Sequence, residues 1–216
     1  VEILHIDEAQ RKNPKVRLQL MQDSDMTILC LPDEAARDAV ALAEGDASIR
    51  FIDASTAHRV DSDWVYGFPE MTATQRGMIA SASRIANPGC YPTGFLALAK
   101  PLIASGMLLA DSRLSVPAVS GYSGGGKSMI GAHDSGELAP QFSYGTSLSH
   151  KHLAEMTHYA GLTTPPIFMP SVGDFYAGML VHLPLHADQF AGAVEANQLY
   201  QLYADWYAAA PLVRMG

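Results

Sequence analysis

Two short apolar runs with a helical segment between them are the strongest constraint on how the first third of this chain folds. Residues 26–32 are MTILCLP and residues 48–55 are SIRFIDAS, and both are apolar enough to form strands buried on two faces. The segment DEAARDAVALAEG at 33–45 has helical composition, with Asp33 expected as its N-cap and Gly45 as its end. A strand, a helix and a strand in this order predict a right-handed parallel βαβ unit.

The ligand-binding edge of such a sheet lies beyond the carboxyl ends of its strands, which here are residues 30–32 and 53–56. A dinucleotide-binding fold also carries G-x-G-x-x-G in its first strand–helix turn, and the first third of the chain lacks this motif. The alternating run VEILHI at 1–6 is predicted to be a strand, and residues 8–24 a helix or a polar connection. We therefore expect the glycine-rich turn to lie upstream of Val1, with the natural start of the protein missing from this sequence.

Charge and composition restrict the partners of the chain. Fourteen Lys and Arg against 22 Asp and Glu give a net charge of −8, which disfavours nucleic acid because its binding needs clustered cations. No apolar stretch reaches the roughly 18–20 residues that span a bilayer, so no membrane partner is expected. Two cysteines argue against a disulfide framework and favour a reducing cytoplasm. The expected partner is a small molecule.

One of the two cysteines precedes a predicted helix. Residues 87–89 form an Asn-Pro-Gly turn, and the apolar spacing that follows predicts a helix opening at 91–93 and closed by Gly106. Cys90 would then lie just ahead of a helix N-terminus, where free N–H groups favour the nucleophilic thiolate. Cys30, at a strand end, is expected to be buried and inert.

A nucleophilic cysteine needs an acid or base partner, and the segment SHKHLAE at 149–155 offers two imidazoles. His150 and His152 stand at the start of a predicted helix, with Glu155 one turn after His152 to hold its ring in place. His158 adds a third imidazole, but the spacing of the three does not put two of them on one helical face. No metal site is expected.

Residues 121–128 are GYSGGGKS and formally match the phosphate-loop pattern G-x-x-x-x-G-K-[ST]. Three observations argue against an ATP-binding function. Pro117 is expected to interrupt the preceding strand, the residues after Ser128 are not expected to sustain a helix, and no later apolar run ends in a Mg²⁺-binding Asp. We interpret the glycines as backbone that approaches a flat ligand closely.

The end of the chain is predicted more coarsely. PPIFMPSV at 165–172 and FYAGMLVHLPLH at 175–186 are predicted to be strands, and 188–210 a helix. Leu199, Leu202 and Trp206 form a stripe on that helix, which we expect to pack in the core.

Taken together, the motifs identify a family resemblance. DASTAHR at 53–59, YGFPE at 66–70, ANPGCYPTGF at 86–95, SGYSGGGK at 120–127 and SHKHLAE at 149–155 resemble the short-chain N-acetyl-γ-glutamyl-phosphate reductases of arginine biosynthesis, within the semialdehyde dehydrogenase superfamily. The similar stretches extend from about residue 26 to residue 184.

This resemblance implies an α/β fold with two domains. A partial Rossmann-like dinucleotide-binding domain would occupy 1–88, without its N-terminal start. An α+β catalytic and dimerisation domain with a mixed sheet would occupy 89–216, without the C-terminal segment that returns to the cofactor domain.

The implied reaction is NADPH-dependent reduction of N-acetyl-γ-glutamyl phosphate to N-acetylglutamate 5-semialdehyde through a thioester on Cys90. His152 would be the acid or base, with His150 the less favoured choice. The substrate phosphate would meet Arg59, with weaker candidates in Lys127 and Glu155. The implied cofactor residues lie in both domains: Leu31, Pro32, Ser55, Ser120, Gly121, Ser123, Gly124 and Gly125.

The resemblance also implies a cytoplasmic homo-oligomer, a dimer or tetramer, whose partner is a small acyl phosphate. Two other functions stay open from the residues alone. One is an aspartate-semialdehyde dehydrogenase-like reductase acting on another acyl phosphate. The other is an ATP-binding protein that uses Lys127 in a phosphate loop.

Overall fold

The computed structural model describes all 216 residues, which divide into two compact units, Val1–Pro88 and Gly89–Gly216. None of the helices combines the length and the apolar character that crossing a membrane requires.

The first unit is built on a parallel sheet of four short strands. Its elements are α1 (Pro14–Gln22), β1 (Thr27–Leu29), α2 (Asp33–Leu42), β2 (Phe51–Asp53), β3 (Val65–Tyr66), α3 (Gln75–Ser81) and β4 (Arg84–Ala86). The strand order is β1-β2-β4-β3, and every neighbouring pair is parallel. The parallel pairing of β1 and β2 around α2 confirms the predicted βαβ unit.

Small residues on α2 explain how the helix reaches the core of this unit. Ala36 and Ala39 are completely buried, and they join Leu29, Phe51 and Trp64 in one apolar cluster. An alanine side chain has little bulk, so the helix backbone packs close to the strands without loss of rotamer entropy.

Several sequence predictions for the first unit were wrong. Residues 1–6 form no strand, because an extended run forms a ladder only with a partner strand and this one has none in the chain. Cys30 is exposed rather than buried, since β1 ends one residue before it. Asp33 is not the N-cap of α2. The cap is Pro32, and the Asp33 carboxylate instead accepts hydrogen bonds from the backbone N–H of Thr56, at 2.9 Å, and from its hydroxyl.

The second unit holds a mixed sheet, as predicted. Its elements are α4 (Cys90–Ala104), β5 (Ser115–Gly121), α5 (Gly126–Asp134), β6 (Gln141–Ser143), α6 (His152–Ala160), β7 (Ile167–Gly173), β8 (Met179–Val181) and α7 (Ala196–Trp206). The order is β6-β7-β5-β8: the two central strands are parallel, and each outer strand is antiparallel to its neighbour. Large side chains that α4, α6 and the central strands bury form the core: Phe95, Leu96, Val116, Met156 and Phe168.

A proline inside α4 is accommodated by α7. Pro101 has no N–H to donate to the carbonyl of Ala97, one turn earlier. The hydroxyl of Tyr207 donates to that oxygen at 2.7 Å, and the hydroxyl of Tyr203 donates to the carbonyl of Leu98 at 2.5 Å. Burial raises the pKa of Tyr203 to about 12, which keeps its hydroxyl a donor.

The remaining predictions for the second unit need corrections in extent. Helix α7 is shorter than the predicted 188–210, and its stripe of Leu199, Leu202 and Trp206 is half-buried rather than part of the core. Strand β8 occupies only three residues of the predicted strand at 175–186.

Candidate active site

Cys90 is the first residue of α4, and Gly89 is the N-cap of that helix. The helix therefore begins one residue earlier than the sequence predicted. The Cys90 side chain is exposed to solvent. Backbone N–H groups in the first turn of a helix have no intrahelical partners, so the sulfur lies where negative charge is favoured.

A buried carboxylate anchors this helix start. Glu155 is only 2% exposed, and its Oε2 accepts a hydrogen bond from the backbone N–H of Gly89 at 2.8 Å. On the other side of the same residue, the Thr93 hydroxyl donates to the Gly89 carbonyl at 2.9 Å. The residue before Cys90 is thus held through both its N–H and its carbonyl group. The expected contact of Glu155 with a substrate phosphate stays a prediction.

The two predicted imidazoles lie side by side in the same unit. The ring centres of His150 and His152 are 4.6 Å apart in an edge-to-face arrangement, and the backbone N–H of His152 donates to Nδ1 of His150 at 3.1 Å. Burial lowers the pKa of His150; the Lys151 charge lowers it further and the Glu155 charge opposes both. His150 is therefore neutral near pH 7, and because its Nδ1 accepts, its proton lies on Nε2.

Two tyrosines beside the cysteine escaped the sequence analysis. The hydroxyl of Tyr91 donates to the carbonyl of Ser171 at 3.0 Å, and the side chains of Tyr144 and Ser120 also hydrogen-bond to it. Burial raises the pKa of Tyr91 and of Tyr144, and negative charge at Cys90 raises both further. Both phenols therefore stay protonated close to the sulfur, and the proton of Tyr91 is engaged by the Ser171 carbonyl.

The sequence indicates for only one of these tyrosines that it lies near Cys90. Tyr91 follows Cys90 directly, and a residue adjacent to a helix-start nucleophile must lie near it. Tyr144 is 54 positions away from Cys90 in the chain and is brought to Tyr91 by the pairing of β6 with β7. No local pattern predicts that pairing.

Gly121, the first residue of the glycine segment, packs closely against the protein's own backbone. A Cβ at Gly121 would lie 2.6 Å from the carbonyl oxygens of Phe175 and Tyr176. The expected contact of Gly121 with a cofactor stays a prediction. Gly124 is different, since the nearest atom to its Cβ would be the Ser120 hydroxyl at 3.5 Å, an ordinary contact.

The other predicted cofactor residues of this segment have internal contacts. A Cβ at Gly125 would meet the Met129 side chain at 2.6 Å, and the N–H of Ser123 donates to the Tyr176 carbonyl at 3.0 Å. Ser120 is buried, and its side chain bonds to Tyr91. Their contacts with a cofactor stay predictions.

Two of the sequence arguments against a phosphate loop were wrong. Strand β5 continues through Pro117, whose carbonyl accepts from the N–H of His182 at 3.0 Å. A helix does follow the glycines: α5 begins at Gly126, and Lys127, its second residue, is exposed. The strand, the glycine turn and the helix of this segment thus follow one another in the order of a phosphate loop.

The first unit organises the DASTAHR segment around one carboxylate. Asp53 is completely buried and accepts hydrogen bonds from the Ser55 N–H at 2.9 Å and the Ser55 hydroxyl at 2.7 Å. Its Oδ2 also lies 2.7 Å from Nδ1 of His58, whose ring stacks on Trp64 at 4.2 Å. The sequence analysis did not identify this network. A buried aspartate followed by Ser and His within five positions was the available signal.

The candidate residues of the first unit lie at or after the carboxyl ends of its strands. Leu31 and Pro32 are exposed after β1, and the N–H of Ala54, after β2, donates to the Leu29 carbonyl at 2.9 Å. The Ser55 hydroxyl is engaged by Asp53. Arg59 is 8% exposed, and one of its Nη atoms donates to the Ala54 carbonyl at 2.9 Å. Arg59 belongs to the first unit, whereas Lys127 and Glu155 belong to the second.

Two family models match the chain in succession. The model described as semialdehyde dehydrogenase, NAD binding domain, matches residues 4–78, and the model described as semialdehyde dehydrogenase, dimerisation domain, matches residues 90–216. The glycine segment, Cys90 and both imidazoles fall within the second match.

Curated relatives are similar over the whole chain. A Sinorhizobium medicae protein named N-acetyl-gamma-glutamyl-phosphate reductase is 44% identical over 220 residues, which covers 100% of this chain and 71% of the relative. A Brucella anthropi protein with the same name is 46% identical, with the same coverage.

Solved structures share the fold at low identity. Aspartate semialdehyde dehydrogenase II from Vibrio cholerae superposes with a TM-score of 0.59 at 19% identity, covering 82% of this chain and 59% of that one. A probable aspartate-semialdehyde dehydrogenase from Pseudomonas aeruginosa gives a TM-score of 0.60 at 13% identity, covering 92% and 63%. This chain thus spans less than two thirds of either solved chain.

Proposed function

The chain belongs to the N-acetyl-gamma-glutamyl-phosphate reductase family, and we propose that it reduces N-acetyl-γ-glutamyl phosphate to N-acetylglutamate 5-semialdehyde, with NADPH, in arginine biosynthesis. The observation that carries the mechanism is the position of Cys90, exposed at the first residue of α4 in the unit that also holds both imidazoles.

The nucleophile is the Cys90 thiolate. Its sulfur attacks the acyl carbon of the substrate, the carbon–oxygen bond to phosphate breaks, and inorganic phosphate leaves with the bonding electron pair. The product of this step is a thioester on Cys90, which divides one difficult displacement into two easier ones. The unpaired N–H groups at the start of α4 stabilise negative charge on the carbonyl oxygen as it develops.

The imidazoles move protons at the same carbon. We assign the acid or base to His152, which is buried at the start of α6. His150, neutral with its proton on Nε2, is available as a hydrogen-bond donor next to it. After reduction, the thiohemiacetal oxygen gives up its proton, the carbon–sulfur bond breaks, the aldehyde leaves, and the Cys90 thiolate is restored.

For the nicotinamide cofactor we retain exposed residues in each unit, taken separately, as candidates. The apolar surface of Leu31 and Pro32, at the carboxyl end of β1, is where parallel sheets bind nucleotides. At Gly124, a Cβ would meet only the Ser120 side chain, at 3.5 Å. When bound, NADPH supplies the hydride that reduces the thioester. We retain Arg59 as the candidate for the substrate phosphate, because a guanidinium matches phosphate geometry, with Lys127 second.

The sheet of the second unit offers a surface for a second copy of the chain. Ile167 is 48% exposed, Met169 47% and Leu180 61%. Register places them on one face, because Met169 pairs with Pro117 while Val119, two residues on, pairs with Leu180. We propose a homodimer through this apolar face, in agreement with the dimerisation domain matched here.

Gel filtration tests the dimer. Met169→Glu should convert a dimer to a monomer, because it places a charge on the apolar face. Met78→Glu, on an equally exposed methionine of the first unit, should leave the dimer intact. A monomeric wild type at micromolar concentration would contradict the proposal.

We place the enzyme in the cytoplasm, where a reducing environment keeps exposed thiols such as Cys90 unpaired.

The function is tested in the full-length protein by following the reverse reaction, in which aldehyde, phosphate and NADP⁺ give NADPH. N-acetylglutamate 5-semialdehyde should be oxidised at least a hundredfold faster than aspartate semialdehyde. Cys90→Ser should remove turnover with the fold retained, whereas Cys30→Ser, on the other exposed thiol, should not. Faster turnover of aspartate semialdehyde would contradict the proposed substrate. An active Cys90→Ser variant would exclude Cys90 as the nucleophile.

A further inference from the structure

We infer that Glu155 is a positioning residue that holds the helix start carrying Cys90 in a fixed place beside the helix start carrying His152. This inference deepens the proposed function and rests on it for its kinetic consequences. The hydrogen bond and the helix positions from which it is argued do not depend on the reaction.

The position of Glu155 between two helix starts is the first support. The residue lies in the first turn of α6, which begins at His152. Its Oε2 accepts from the N–H of Gly89, the N-cap of α4, at 2.8 Å. One side chain on the helix of the acid or base thus bonds directly to the backbone group that precedes the nucleophile.

The burial of Glu155 is the second support, because it makes the hydrogen bond to Gly89 important for stability. A carboxylate that is 2% exposed is stable only when its charge is balanced by hydrogen bonds or dipoles. Glu155 meets the N-terminal ends of α4 and α6, where helix dipoles favour negative charge. Its removal would leave the Gly89 N–H buried without an acceptor, and α4 would be free to shift relative to α6.

The same carboxylate acts on His150 through its charge. The groups that face His150 are Lys151, Glu155, Tyr144 and the ring of His152. Burial and Lys151 lower the pKa of His150, and Glu155 is the one group that raises it. Replacing the carboxylate with an amide should therefore lower this pKa further, while the amide oxygen still accepts from Gly89.

Two variants separate position from charge. Glu155→Ala removes both the acceptor and the charge, and we expect kcat to fall a hundredfold or more, because small misplacements of reacting groups have effects of about that size. Glu155→Gln keeps the acceptor, and we expect kcat to fall tenfold or less, with the NMR titration of His150 moved to lower pH. KM should change less than threefold in both, and a larger change in KM would instead assign Glu155 to the substrate phosphate. Glu137→Gln, on an exposed carboxylate of the same unit, should behave as wild type.

Amide hydrogen exchange at Gly89 gives a readout that needs no activity. Exchange should be at least tenfold faster in Glu155→Ala and near the wild-type rate in Glu155→Gln. If Glu155→Ala does not fold, Glu155→Gln decides through its Gly89 exchange rate and the NMR titration of His150. Equal loss of kcat in two folded variants, a wild-type rate in Glu155→Ala, or an unmoved His150 titration in Glu155→Gln would overturn the inference. An inactive wild type with protected Gly89 would instead count against the proposed function alone.

Discussion

The hydroxyl of Tyr207 donates to the carbonyl oxygen of Ala97 at 2.7 Å, in place of the backbone N–H that Pro101 lacks. A proline inside a helix normally leaves the carbonyl one turn earlier without a donor. Here a side chain from beyond the end of α7 supplies that donor, and α4 remains a single helix from Cys90 to Ala104. The continuity of the helix that starts at Cys90 thus depends on a hydrogen bond from Tyr207, near the C-terminus.

Removing this donor should destabilise the second unit. Tyr207→Phe deletes one hydrogen bond to a carbonyl that has no backbone donor, and we expect a loss of about 1–2 kcal/mol in the free energy of unfolding. Tyr200→Phe, on an exposed tyrosine of α7, should change it by less than about 0.5 kcal/mol. Urea unfolding of both variants measures the difference. Equal stability of the two would show that the Ala97 carbonyl does not need Tyr207.

Two glycines of one segment should respond differently to the same change. Gly121→Ala would place a Cβ 2.6 Å from two backbone oxygens, so the contact with 175–176 must open, at a cost of roughly 1–3 kcal/mol. Gly124→Ala meets only the Ser120 hydroxyl at 3.5 Å and should leave stability nearly unchanged. If Gly124 lines the cofactor site, that variant should raise KM for NADPH. Thermal unfolding and NADPH saturation curves check the pair, and equal destabilisation by the two alanines would contradict the geometry.

Local patterns in the sequence predicted the elements whose signals are themselves local. The apolar runs at 26–32 and 48–55 gave two paired strands, and the turn before Cys90 gave a helix start. The alternating run at 1–6 failed because a strand depends on a partner, which alternation does not reveal. Pro117 was misjudged for the same reason: the ladder on either side of it decides whether a proline is tolerated.

The residues of the candidate site also fall into those with a local sequence signal and those that only tertiary packing reveals. Cys90, His150 and His152 stand in recognisable motifs, and the structure brings both imidazoles into the unit that holds the cysteine. Tyr144 and the Glu155–Gly89 contact join positions 54 and 66 residues apart, so only tertiary packing reveals them. The buried bond between Asp53 and His58 was closer in sequence, but its strength comes from burial, which the sequence does not display.

The Asp53 network should be essential to the first unit. Asp53→Ala removes the acceptor of three hydrogen bonds and leaves a buried His58 without its partner, which should destabilise the protein by about 3 kcal/mol or more. Asp63→Ala, on an exposed carboxylate a few residues later, should be nearly neutral. Guanidinium unfolding measures both. An unchanged free energy of unfolding in Asp53→Ala would contradict the stabilising role of Asp53. Because Arg59 follows in the same loop, Asp53→Ala should also raise KM for the acyl phosphate if that arginine binds it.

Two histidines of the second unit should make the free energy of unfolding depend on pH in opposite directions. Burial is the main cause that lowers the pKa of His150, so folding favours its neutral form. Its contribution is complete above pH 6.5, the ordinary pKa, and is lost as the pH falls from there through the folded value. His133 is the matched case, since its bond to Asp174 raises its pKa. The stability from His133 is complete below pH 6.5 and is lost as the pH rises through its folded value.

Non-titrating substitutions separate the two responses. Between pH 7.5 and pH 5, His150→Gln should lose less free energy of unfolding than wild type, and His133→Gln should lose more, since each variant lacks one of the opposing contributions. Urea unfolding at four pH values in this interval measures the slopes, with His5→Gln, on an exposed histidine of the first unit, as the control. The effect of His133 should also shrink in 0.5 M salt because that pair is exposed, whereas the effect of His150 should persist because burial causes it. A steeper acid loss in His150→Gln than in wild type would reverse the assigned sign and would mean that this imidazole is held in its charged form.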